Sequence, residues 1–66
     1  MEIKINGKSE EIEQQTNLLE LVNQRGLESN KIVIEHNATI VSKEKWGATL
    51  VSEKDSIEII SFVGGG

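Results

Sequence analysis

The sequence contains no cysteine and no proline, and only one histidine, one tryptophan and one phenylalanine among 66 residues. Without cysteine there is no disulfide framework, no thiolate nucleophile and no sulfur ligand for a metal. His36 has no second histidine beside which it could ligate a metal or form a nucleophile–base pair. In "IEHNAT", next to Asn37, it reads as a solvated turn residue. No apolar run approaches the length of a membrane span, and the Met1-Glu2 start does not resemble a secretory signal, so a cytoplasmic location without membrane contact is expected. The 11 acidic residues against 7 basic ones give a net charge of −4, which argues against nucleic acid and suits a partner with a basic docking face. Glu10, Glu11, Glu13 and Glu20 fall on segments that need a polar outer face and read as solvated charges. A chain this short makes one domain and buries only about 60% of the surface its unfolded form exposes.

What is present is periodicity. "MEIKING" alternates, with Met1, Ile3 and Ile5 on one side and Glu2 and Lys4 on the other. That is the period of a half-buried strand, and Asn6-Gly7 is the strongest short hairpin signal. "KSEEIEQQ" returns as a charged edge strand with one inward residue, Ile12. In "TNLLELVNQRGL" the period changes: Leu18, Leu19, Leu21 and Val22 make the apolar stripe of a helix of about ten residues. Thr16 or Asn17 caps its start, and Asn17 with Glu20 has capping-box spacing. Gly26 fits the left-handed position after the last turn, with Leu27 folding back on Val22. "KIVIEHN" is apolar enough at Ile32, Val33 and Ile34 to lie inside a sheet. A short strand at Ile40-Val41, a tight turn that buries Trp46 in a satellite core, and a short strand at Leu50-Val51 are expected next. "SEKDS" turns the chain into a final strand, "IEIISFV".

Hairpin, helix, strand, small excursion, strand is an order that lets one helix cover one face of a mixed four- or five-stranded sheet. If the last strand returns beside the first, the two run parallel at the centre, and the fold is an α+β β-grasp, the ubiquitin-like fold. The core is then expected at Ile3, Ile5, Leu19, Val22, Ile32, Ile34, Ile57 and Ile59. Alternation places Glu58, Ile60 and Phe62 on the opposite face with Val33. No second helix covers that face, so Val33, Ile60 and Phe62 are the expected partner-docking residues.

The sequence ends "SFVGGG". Glycine contributes nothing to packing, so residues 1–63 are expected to form the domain and 64–66 a flexible tail. The free carboxylate of Gly66 is the candidate reactive group. Adenylation would turn it into a mixed anhydride open to a sulfur or nitrogen nucleophile. Glycine leaves the acyl carbon unhindered, and Gly64 and Gly65 let an enzyme approach the backbone closely. Such chemistry asks for no catalytic side chain in this chain, which acts as a substrate rather than an enzyme.

These residues resemble the ThiS family of thiamine-biosynthesis sulfur carriers over essentially the whole chain. The matching features are the "NG" hairpin, the Thr-led leucine helix, "IVIEHN" ending in Asn37, "IVSKEKW", the acidic turn before "DSIEII", and the terminal Gly65-Gly66. The family often has Gly-Asp before the final strand, where this chain has Lys54-Asp55, a departure in turn geometry. Gly64 is extra to the minimal glycine pair. The resemblance implies that an E1-like adenylyltransferase, similar to ubiquitin-activating enzymes, activates Gly66 with Mg-ATP. The chain itself would bind no cofactor. It further implies that a cysteine desulfurase or another persulfide donor supplies sulfur, and that thiazole synthase takes the sulfur from a C-terminal thiocarboxylate. The small subunit of molybdopterin synthase uses the same tail chemistry, but its members tend to be longer and carry proline-containing loops. A ubiquitin-like tagging or binding module, marked by a lysine conjugate of Gly66, is the alternative from another class.

Overall fold

In the computed structural model, residues 1–62 are described. The elements in chain order are β1 (Glu2–Ile5), β2 (Lys8–Glu11), α1 (Leu18–Gln24), β3 (Ile32–His36), β4 (Thr39–Val41) and β5 (Ser56–Ser61), with 3-10 segments at Ser29–Lys31 and Lys43–Ala48. The five strands form one sheet in the order β2-β1-β5-β3-β4, with β1 and β5 parallel and all other neighbours antiparallel. This is the mixed β-grasp sheet expected from the sequence, with α1 on one face. The expected 64–66 tail and the boundary at residue 63 lie outside the described residues.

Two-residue turns close both hairpins, and each has positive φ at both positions, the geometry that suits the right-handed twist of paired strands. At Asn6-Gly7 the angles are 51° and 82°, as the dipeptide predicts. At Asn37-Ala38 they are 51° and 72°, so an alanine occupies a position that favours glycine. Lys54, in the turn before β5, has φ 69°. This is the position where the resembled family often has glycine, so the departure falls on a left-handed residue. A left-handed L-residue costs roughly 1–2 kcal/mol, part of which glycine returns as unfolded-state entropy. Ala38→Gly and Lys54→Gly should therefore each raise stability by about 0.5–1 kcal/mol. A higher urea midpoint at an unchanged m-value is the expected reading, and a lower midpoint would contradict it.

The helix is started and stopped as its sequence requires. Asn17 Oδ1 accepts from the Glu20 N–H at 2.8 Å. Arg25 ends the helix, Gly26 follows at φ 68°, and the Leu27 N–H donates back to the Val22 carbonyl at 3.2 Å. At seven residues it is shorter than the sequence suggests, and it buries Leu18, Leu21 and Val22. Leu19, expected in the core, is 40% exposed. Leu18, Leu21 and Val22 already fill the i, i+3, i+4 stripe, and Leu19 falls outside it.

The core is Ile3, Ile5, Leu18, Leu21, Val22, Ile32, Ile34, Trp46, Val51 and Ile57, with Ile12, Val41 and Ile59 packed partly buried against it. Trp46 sits in this main core at 1% exposure rather than in a satellite. The turn expected around it is a 3-10 helix, Lys43–Ala48, and the indole N–H donates to the Val41 carbonyl at 2.9 Å. The strand expected at Leu50-Val51 shrinks to a single bridge between Asn17 and Leu50. The Val51 N–H donates to the Thr16 carbonyl at 2.8 Å, so this segment is tied to the start of α1 and not to the sheet.

Candidate functional site

The open face of the sheet is set by the pairing of β5. Ile32 pairs with Ser61, Val33 with Ile60, Ile34 with Ile59 and Glu35 with Glu58. Ile32, Ile34 and Ile57 are buried under the helix, so the alternate residues Val33, Glu35, Glu58 and Ile60 point the other way. Ile60 is 44% and Phe62 46% exposed, and Val33 is half-buried. Phe62 is held in line by its N–H, which donates to the Lys31 carbonyl at 3.0 Å. The structure thus brings Val33, Ile60 and Phe62 together on one uncovered face at the end of β5.

Sequence reasoning missed a fourth apolar member, Ile40, which is 65% exposed. It lies opposite Glu35 on β4. A signal was present: a two-residue turn at Asn37-Ala38 fixes this register and sends Ile40 to the open face. Gly64, Gly65 and Gly66 lie outside the described residues.

The other side of this strand end is supported by Asn6. β1 stops pairing with β5 at Ile5 opposite Ile57. One step further, Asn6 Oδ1 accepts from the Ile59 N–H at 2.7 Å, so a side-chain amide replaces the backbone carbonyl of a continuing strand. A cavity of about 230 Å³ adjoins it, lined by Ile5, Asn6, Arg25, Leu27, Ile32, Ile59 and Ser61. Arg25 on its rim is held by Glu10, with guanidinium–carboxylate distances of 2.8 and 3.0 Å. This hydrogen-bonded pairing lowers the Glu10 pKa from its ordinary value, so Glu10 is a paired group rather than a purely solvated one.

His36 is not a solvated turn residue. It closes β3 half-buried, and its Nε2 lies 2.7 Å from Asp55 Oδ2. The same carboxylate accepts from the Ser52 N–H at 2.8 Å and from the Asn37 side chain at 3.1 Å. Asn37 also accepts from the Ser56 N–H at 2.9 Å, so the cluster ties the β3–β4 turn to the entry of β5. Burial works to raise the Asp55 pKa, but the hydrogen bonds of His36, Ser52 and Asn37 and the charge of His36 together outweigh it and leave it below the ordinary carboxyl value. A depressed folded-state pKa means stability that is present above the unfolded aspartate value and is lost as pH falls through the folded one. Asp55→Asn should flatten that acid-side loss and cost about 1–3 kcal/mol at pH 7, because its donors lose a charged acceptor. Unfolding curves for both proteins from pH 7 to pH 2 check this, and parallel pH profiles would contradict it.

Among the described residues, no group of three or more histidine, aspartate or glutamate side chains is placed to hold a metal. No described helix is long and apolar enough to cross a membrane. What the site offers is an exposed apolar face on the sheet, at the end of the last described strand.

Residues 3–66 match the sequence profile of the ThiS family. The sulfur carrier protein ThiS of Bacillus subtilis is 32% identical over 65 residues, covering 97% of this chain and 98% of that protein. A thiazole synthase of Magnetococcus marinus is 36% identical over all 66 residues, and the chain spans 20% of its length. The crystal structure of the thiamine biosynthesis protein ThiS from Geobacter metallireducens superposes with a TM-score of 0.88 at 28% identity, covering the whole of both chains.

Proposed function

The chain belongs to the ThiS family, and we propose that it is a sulfur carrier of thiamine biosynthesis, a substrate rather than a catalyst, that carries sulfur on the carboxylate of Gly66. The observation behind this reading is that the family match continues through Gly66, beyond Ile57, the last buried core residue among the described residues. A partner adenylyltransferase with Mg-ATP joins AMP to the Gly66 carboxylate and releases pyrophosphate. A sulfur nucleophile from a cysteine desulfurase or another persulfide source then attacks the acyl carbon and AMP leaves. Where the sulfur arrives as a persulfide, a thiol cleaves the remaining S–S bond to leave the thiocarboxylate. Gly64 and Gly65 admit the backbone to a narrow enzyme channel because they present no side chain.

Thiazole synthase is the acceptor in this reading. A thiazole synthase polypeptide contains a stretch resembling this entire chain, which fits two components that work side by side. Incubation with the cognate adenylyltransferase, ATP and a sulfur source should shift the intact mass by one oxygen-for-sulfur exchange. A mass that stays unchanged with active enzyme refutes the reading.

Val33, Ile60 and Phe62 are the docking residues for the adenylyltransferase. Phe62 is the main anchor, since truncating an aromatic hot spot typically costs ~2 kcal/mol or more. Phe62→Ala and Ile60→Asp should stay folded and lose at least tenfold in affinity for that enzyme. Wild-type affinity in both folded variants would remove these residues from the interface.

A further inference from the structure

We infer that the docking partner brings a basic side chain, an arginine by preference, into the space between Glu35 and Glu58. The inference rests on the docking reading above and adds the chemistry of the partner. Glu35 and Glu58 are directly opposite each other on β3 and β5, and both belong to the open face. Directly opposed side chains have Cβ atoms about 4.5–5.5 Å apart, and like charges so placed repel. No ion pair among the described residues includes either glutamate. Lys4 shares the face but pairs with Ser56, one row along. The other charged residues that β1 and β2 bring to this face are Glu2 and Glu11, which stand opposite each other, and Glu11 is held by the Met1 ammonium at 3.2 Å.

Apolar side chains flank this pair on two sides. Ile40 lies beside Glu35 in the same row across the sheet, and Val33 and Ile60 form the adjacent row. A partner that covers Ile40, Val33 and Ile60 must therefore cover both carboxylates as well. Two like charges taken out of water together carry a desolvation penalty that an apolar partner cannot offset. A guanidinium placed between them can donate to both, and its weak hydration makes it less costly to bury than an ammonium. In the free domain the pair sets a repulsion in the middle of the sheet. In the complex the same pair selects partners with a cation at that point and rejects purely apolar or acidic surfaces.

The test is the double variant Glu35→Gln/Glu58→Gln, with Glu13→Gln/Glu44→Gln as a control for the same loss of net charge. Glu13 and Glu44 are exposed and lie outside the five strands, Glu13 in the loop after β2 and Glu44 in the 3-10 segment. Calorimetric titration against the cognate adenylyltransferase at low and moderate salt gives Kd, and urea unfolding gives stability. The inference requires the Glu35/Glu58 variant to be at least as stable as wild type, yet to bind at least tenfold more weakly with a flatter salt dependence. The control should bind like wild type. A folded Glu35/Glu58 variant with wild-type Kd and salt slope overturns the inference and leaves the carrier reading standing. Equal weakening in the control also overturns it, by assigning the effect to net charge. Absence of binding by wild type overturns the docking reading and this inference together.

Discussion

Deleting Gly66, or appending one residue after it, is expected to abolish sulfur loading while leaving stability within about 0.5 kcal/mol of wild type. Either change moves the terminal carboxylate by one residue, about 3.3–3.6 Å along an extended chain. Misplacement of a reacting atom by even 1 Å can cost on the order of 10²-fold in rate, so a shift several times larger should leave no detectable adenylate. Stability should hold because every buried core side chain among the described residues lies between Ile3 and Ile57. Intact mass after incubation with adenylyltransferase, ATP and sulfur source reads the loading, and the thermal midpoint reads the fold. Sulfur gain by the truncated chain would place the carrying group elsewhere.

The second large effect is in the core. Trp46→Ala should cost about 3–5 kcal/mol and Ile57→Ala about 2–5 kcal/mol. Total stability for a domain of this size is about 3–10 kcal/mol, so either variant approaches complete unfolding at 25 °C. Trp46 is 1% exposed, and its removal also leaves the Val41 carbonyl without its indole donor. Ile57 is fully buried and pairs with Ile5 on one side and His36 on the other. Leu19→Ala is the contrasting control. At 40% exposure its loss should stay below about 1 kcal/mol. Circular dichroism in urea suits all three, since the sole tryptophan is one of the altered residues. A Leu19→Ala loss as large as that of Ile57→Ala would return Leu19 to the core.

The strands were legible because their alternation is enforced by burial on one side. Ile3 and Ile5 on β1, and Ile32 and Ile34 on β3, all fall where a period of two puts them. The caps of α1 were legible because Asn17, Glu20 and Gly26 act within a few residues of chain. What escaped reading depends on contacts distant in sequence. The place of Trp46 is decided by the face of α1 that its segment packs against, and four apolar residues among the five positions 18–22 do not by themselves say that Leu19 is the one left outside. His36 looked like a turn residue because its partner, Asp55, lies 19 residues further on. On the open face, Val33, Ile60 and Phe62 followed from alternation alone. Ile40 needed the register of β4, and the opposition of Glu35 to Glu58 needed the register of β3 against β5.

The strand order carries a consequence for how the molecule comes together. β5 is the last of the five described strands in chain order and the middle one in the sheet, bonded to β1 on one flank and to β3 on the other. Without it, β1–β2 and β3–β4 are two separate hairpins with a slot one strand wide between them, and isolated hairpins are marginal in water. The contacts that unite the sheet therefore join Lys4 and Ile5 to Ser56 and Ile57 across nearly the whole chain, and their closure is the slow, entropy-limited event in folding. Neither half can persist alone, so the domain melts as a single cooperative unit, and a ribosome must deliver β5 before the sheet can exist.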